Sequence, residues 1–429
     1  MLSTFTPLGW APGLAELGLA VFVILQLPDA PRMARIHLSV GLAFAVAAMA
    51  LLAEPLPALH EAAGRAAFIA VVFSALGTLR AAAQGAAWVG RAARMLVRQP
   101  PGRRYWAIAA GGTLFGAIIN FGAVPLLAGM IQDASGREAR GPGERSMMVA
   151  LLRGFSVVRF WCPTTMAYAV ATATLPGAAW PAMAAVGTAA AVAILAAGRF
   201  LDRRAGHGGA AAEAPAGFEF GKLAPLLGLL TLILALAAAI ETATGARMID
   251  GVILVAPPLT LGWLVLAQGA AGPGRLVARV VREVPAQRGE ILVLANAAFV
   301  GMIVAALAPP ALVEGVLTAI PPALIAPPAL TLVVAIGQLG VNPLVTVTAL
   351  SATLAEAPAL GGSPTLIAAA MVMARGLAVG SSPGAAATLI VGRFAGRSSA
   401  EIGLRWNGAH TRTAVALISA LLAGLHALG

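Results

Sequence analysis

Charge-free apolar runs long enough to cross a bilayer recur along this chain, and the loops between them hold most of its charge. A ~30 Å hydrocarbon core takes roughly 20 helical residues to cross. Such runs fall near 12–27, 36–53, 65–79, 105–131, 148–175, 178–198, 223–241, 250–268, 290–309, 323–354, 364–391 and 408–427. With 59% hydrophobic and 10% charged residues in 429, the chain has too much apolar surface to hide from water. It reads as an all-α polytopic membrane protein whose main partner is the lipid bilayer. The start of the chain lacks the basic residues of a cleaved signal peptide, so the first run is expected to stay in the membrane.

The formal charge of +11 does not point to nucleic acid. Its basic residues lie in loops, where positive charge sets helix orientation. That rule also decides two ambiguous runs. Arg80, Arg91, Arg94, Arg98, Arg103 and Arg104 precede 105–131, and Arg137, Arg140 and Arg145 follow it. Both flanks read as cytoplasmic, so the run returns to the side it left, as a re-entrant hairpin. No Lys or Arg lies in 310–322 or 355–363, so the run 323–354 reads as a hairpin opening to the other side. With this choice 22 basic residues fall inside and only Arg65 and Arg247 outside. Both termini are then external, in a bacterial inner membrane.

The order is three spans, a hairpin, a broken span and a last span, given twice. Residues 1–201 form the first repeat, 202–222 a cytoplasmic linker, and 223–429 a second repeat of inverted topology. The hairpins cover about 105–131 and 323–354, and the broken helices about 148–175 and 364–391. Arg153-Gly154 and Arg375-Gly376 are 222 residues apart, and so are Asn120 and Asn342, one in each hairpin.

Irregular backbone inside a bilayer is tolerated where protein or a water-filled cavity covers it. Four interruptions supply polar groups of this kind: Asn120 and Gly122, Asn342 and Pro343, Pro163-Thr164-Thr165, and Ser381-Ser382 before Pro383. Half-helix N-termini there suit an anion, and freed carbonyls suit Na⁺. These ten positions, with Arg375 counted among them, are the candidate substrate and ion site.

This layout resembles the ion transporter superfamily, which includes divalent-anion/sodium symporters, citrate transporters, arsenite-pump membrane subunits and the large membrane subunits of TRAP transporters. The resemblance implies a homodimer with a scaffold and an elevator-like transport domain. The divalent-anion symporters carry Ser-Asn-Thr at their breaks. Here Asn120 and Asn342 match, while the broken spans read Pro163-Thr164-Thr165 and Ser381-Ser382-Pro383.

Arg153 reads as the positive start of a cytoplasmic helix. Arg375 follows thirteen uncharged residues, so it lies within a span, where an unpaired arginine costs several kcal/mol. It can bind a substrate anion, bond the carbonyls of the broken helix, or snorkel outward. Arg159, four residues before Pro163, is its analogue in the first half. No acidic residue lies in either hairpin or between Met148 and Gly177. Proton antiport generally uses a carboxylate in the pathway, so Na⁺ coupling through carbonyls, or an exchanger or facilitator, is expected over H⁺ antiport. The five histidines have no metal-ligand spacing, and no His or carboxylate is placed to activate Cys162. The expected function is therefore a secondary-active transporter of a small organic anion, not an enzyme, with no cofactor beyond Na⁺. The alternative is a membrane subunit of a TRAP-like or ATPase-assisted assembly, and behind it a membrane-embedded enzyme, for which no convergent catalytic groups are found.

Overall fold

A computed structural model describes residues 11–84, 86–135, 142–204, 219–268, 274, 278, 287–355 and 361–428. Most of the linker, 205–218, lies outside the described residues. The fold is all-helical and polytopic. In the first repeat the helices are α1 (Ala11–Gln26), α2 (Arg32–Leu51), α3 (Pro55–Gln84), α4 (Ala87–Val97), α5 (Pro101–Ile119), α6 (Ala123–Ser135), α7 (Pro142–Trp161), α8 (Met166–Thr174) and α9 (Trp180–Arg204). In the second they are α10 (Ala224–Thr244), α11 (Met248–Gln268), α12 (Arg288–Leu307), α13 (Pro310–Ala319), α14 (Ala326–Gln338), α15 (Pro343–Thr353), α16 (Pro364–Ser381), α17 (Ala386–Ala395) and α18 (Gly408–Ala427).

Nine helical stretches of the described residues are long and apolar enough to cross a bilayer by length and composition. Gly102–Ala134 is among them, yet the chain doubles back inside it. A Cβ on Gly111 of α5 would lie 3.7 Å from Leu127 Cδ1 of α6, whereas sixteen residues of straight helix would separate them by about 24 Å. The reversal is made by a short 3₁₀ turn, Asn120–Gly122. The second hairpin turns between α14 and α15. There Asn342 caps α15, its Oδ1 accepting from Leu344 N–H at 3.0 Å, and Pro343 occupies the first turn, where no donor is missed.

Counting the shorter apolar helix α1 and each broken helix as spans, and each hairpin as none, gives a repeat five crossings. An odd number of crossings inverts the second repeat relative to the first. Packing follows the same symmetry. The third spans α3 and α12 lie together, with α2 on α12 and α11 on α3. The broken spans α7 and α16 cross at the centre, each covered by both arms of its own hairpin. Their crossing is close because Gly376 and Gly380 form a small-xxx-small face. A Cβ on Gly376 would lie 2.6 Å from Phe160 Cε1, and one on Gly380 would lie 2.3 Å from Ser156 Oγ. Every residue of α16 from Ile367 to Ser381 is buried, as expected of a helix that is apolar all round save for Arg375 and Ser381.

Two elements depart from the expected loops. The basic segment before the first hairpin forms α4, an amphipathic helix whose Val89, Ala92, Met95 and Leu96 are buried against both hairpin arms. Its counterpart α13 precedes the second hairpin and is bent 107° from the helix that follows.

Candidate functional site

The two breaks have the same backbone course, but in a register of 220 residues rather than 222. The turn at 162–165 interrupts α7 and α8 as the turn at 382–385 interrupts α16 and α17. Pro163 therefore corresponds to Pro383, Cys162 to Ser382, and Arg375 to Phe155. The repeated Arg-Gly pairs are not structural equivalents. Nor are the two asparagines: Asn120 pairs with Gly340. Both of these tip residues have positive φ, 52° and 96° respectively. Asn120 is the sole non-glycine with positive φ among the described residues, and its ψ is −129°. Strain of this kind costs about 1–3 kcal/mol and tends to persist at functional positions.

In both repeats side chains donate to carbonyls around the breaks, some of which also accept a backbone N–H. At the first break Thr165 Oγ1 donates to Cys162 O at 3.0 Å, and Tyr168 OH donates to Phe160 O at 2.9 Å. At the second, Thr388 Oγ1 donates to Ser382 O at 2.6 Å and to Ala385 O at 2.8 Å. Asn407 Nδ2 donates to Gly380 O at 2.9 Å. Thr164 Oγ1 reaches across to Ala117 O of the hairpin arm α5 at 3.0 Å, and Cys162 Sγ lies 3.0 Å from the same hydroxyl. Ser381 Oγ donates back to Leu377 O at 2.9 Å, and Ser382 Oγ accepts from Gly384 N–H at 3.2 Å.

Each break thus sits against its own hairpin. Thr164 joins the first pair. In the second, a Cβ on Gly384 would lie 2.8 Å from Gly340 O. The helix leaving each break also packs on the other repeat's hairpin, α8 on α15 and α17 on α6. The predicted positions therefore form two clusters, one per repeat, on either side of the α7–α16 crossing. Their exposure differs. Residues 162–166 are buried, whereas Gly384 and Ala386 are exposed beside Leu339 and Val341, which are 85% and 41% exposed.

Two guanidinium groups lie inside this assembly. Arg159 is buried, donates to Phe155 O, and stacks with its Cζ 4.3 Å from the Phe155 ring centroid and 5.5 Å from that of Phe121. Arg375, 3% exposed, has no hydrogen bond or ion pair among the described residues, and its Nε is buried without a partner. Of the three roles open to Arg375, snorkelling is ruled out by its burial, and no carbonyl accepts from it. Arg159 lies within electrostatic reach of Arg375, and no carboxylate among the described residues opposes either.

Arg153 proves to be a buried partner rather than a helix start in a basic loop. Its Nη1 donates to Asp202 Oδ2 at 2.8 Å and its Nε to Asn407 Oδ1 at 3.0 Å. Sequence reasoning missed Asp202, which looked like the first linker residue, and also Tyr168 and Asn407. One signal was available for Tyr168: the chain has only two tyrosines, and both fall in apolar runs. The other, Tyr105, donates to Leu195 O at 3.1 Å.

An apolar cavity of about 740 Å³ lies between α1, α3 and α11 and includes none of the predicted positions. Among the described residues no group of His, Cys, Asp and Glu is arranged to hold a metal.

The fold and the paired breaks define the class: a polytopic membrane protein with the architecture of a known transporter. The crystal structure of the YdaH transporter of Alcanivorax borkumensis, noted for an unusual topology, matches with a TM-score of 0.60. The match covers 93% of this chain and 98% of that one at 15% sequence identity, a likeness of fold. No protein-family model and no curated protein sequence matches the chain.

Proposed function

We propose that this protein is a secondary-active transporter of a small organic anion. The observation that carries the proposal is Arg375, a guanidinium buried in the central broken span with neither a carboxylate nor a carbonyl to receive it. A charge in that position is costly unless something neutralises it, and a bound anion can. Arg159 adds a second positive charge, and Phe121 and Phe155 add an apolar wall. The N-terminus of α17, at the second break, contributes free N–H groups.

In this reading the scaffold consists of α1–α3 and α10–α12, and the moving part consists of the hairpins, broken spans and last spans. Movement of the elevator type carries the site across. In the same reading, we take the exposed second hairpin tip and first turn of α17 as a state open to the side on which the first hairpin enters. Na⁺ coupling and a homodimer belong to the same proposal. Among the described residues Gly380 O accepts one hydrogen bond, from Asn407, which leaves that oxygen a lone pair for a cation.

A thermal-shift screen of the purified protein tests this. Carboxylates and sulfonates are added with and without Na⁺, because a ligand of the folded state raises the melting temperature by mass action. The reading expects a dose-dependent rise with at least one organic anion, larger in Na⁺. A rise only with arsenite or a metal cation would contradict it.

A further inference from the structure

The last span is approached through a π-helical turn, Glu401–Trp406, that presses on the second break. A Cβ on Gly403 in this turn would lie 2.2 Å from Ser381 O. The next residue after the turn is Asn407, 2% exposed. Its Nδ2 donates to Gly380 O at 2.9 Å, and its Oδ1 accepts from Arg153 Nε at 3.0 Å. Arg153 is in turn paired with Asp202 at 2.8 Å. A continuous buried path therefore runs from α9 through α7 to the end of α16.

The first repeat does this differently. In the 220-residue register Gly380 corresponds to Phe160 and Asn407 to Gly187. Phe160 O accepts from Tyr168 of the same broken span, and Gly187 packs on that carbonyl, where a Cβ would lie 1.8 Å from Phe160 O. The first broken span caps itself. The second has Thr388 where the first has Tyr168, and that hydroxyl reaches Ser382 O and Ala385 O instead. Its Gly380 carbonyl depends on a side chain from another element. π-Helical turns often occur at functional sites, and this one delivers Asn407.

We propose that Asn407 is a positioning residue for the second break. It fixes the end of α16, with Arg375 five residues upstream, to the Arg153–Asp202 pair of the first repeat. It touches no substrate. The proposal rests on the anion reading only for what α16 presents; the bridge itself stands on its hydrogen bonds.

Electron paramagnetic resonance in a Cys162→Ala background tests the bridge without any ligand. One nitroxide is placed at Ala386→Cys, on the exposed first turn of α17, and a control at Leu312→Cys on α13. Asn407→Asp keeps the acceptor for Arg153 but cannot donate to Gly380 O, and Asn407→Leu loses both bonds. Loss of one buried hydrogen bond corresponds to an about fivefold rise in the mobile fraction at position 386. The expected result is that rise in both variants, with the control unchanged and the melting temperature of Asn407→Asp near that of the parent. A label at 386 as immobile as in the parent would overturn the proposal, and so would equal loosening at both labels. Because no anion is present, failure here is separable from failure of the anion screen.

Discussion

Asn120 and Gly340 occupy equivalent hairpin tips, 220 residues apart, and both have positive φ, 52° and 96°. One repeat uses the residue type suited to that conformation and the other does not. Asn120 is among the positions read from the sequence as the substrate and ion site. Asn120→Gly is expected to relieve about 1–3 kcal/mol of strain, raising the melting temperature by about 1–3 °C. The same variant is expected to lose part of its response to an anion. Differential scanning fluorimetry with and without ligand reads both, and a fall in melting temperature would count against strain at this tip.

The central crossing predicts a contrast between glycines. Gly376→Ala forces a methyl to within 2.6 Å of Phe160 Cε1 and 2.7 Å of Ser156 O, an overpacking that costs about 1–3 kcal/mol or more. Gly228→Ala in α10 meets nothing within 4 Å and gains about 0.5–1 kcal/mol of helix stability. Melting temperatures of the two variants should move in opposite directions. Equal shifts would place α7 and α16 farther apart than described.

Asp202→Asn leaves Arg153 buried opposite a neutral amide. Removing one partner of a buried pair costs about 3–5 kcal/mol, and both side chains here are largely enclosed, 2% and 12% exposed. The Arg153→Leu, Asp202→Asn double variant should recover part of that loss, since no unpaired charge then remains. A double-mutant cycle by thermal melting checks this, and strict additivity would deny the pair.

Much of the fold was legible because a bilayer imposes simple rules. Length and apolarity gave the spans, and loop charge folded 105–131 back on itself, a reversal confirmed by the proximity of Gly111 and Leu127. The register of the repeats was not legible. Arg-Gly recurs at 153 and 375 by composition, whereas the breaks recur at Pro163 and Pro383, set by backbone course rather than by side-chain identity. Asp202 and Asn407 were hidden for another reason. Their partners lie 49 and 254 residues away in the chain, and no local pattern announces a pairing made only by tertiary packing. The helix α4 was read as a basic loop because its apolar face is too short to stand out as a span.

Orientation is testable by single-cysteine labelling in a Cys162→Ala background. Arg98→Cys and Asp133→Cys flank the first hairpin and should react with an impermeant maleimide from one side of the membrane. Leu312→Cys, beside the second hairpin, should react from the other. Labelling of positions 98 and 133 from opposite sides would turn the hairpin into a span and abolish the inverted repeat.

The central claim is that Arg375 awaits an anion, and Arg375→Leu tests it most directly. Melting curves of parent and variant are compared with and without the organic anion that shifts the parent most. The account predicts that the ligand-free variant melts at or above the parent, because a buried unpaired charge has been removed, and that the anion-induced shift disappears. A variant that melts lower without ligand yet keeps the full anion shift would contradict it.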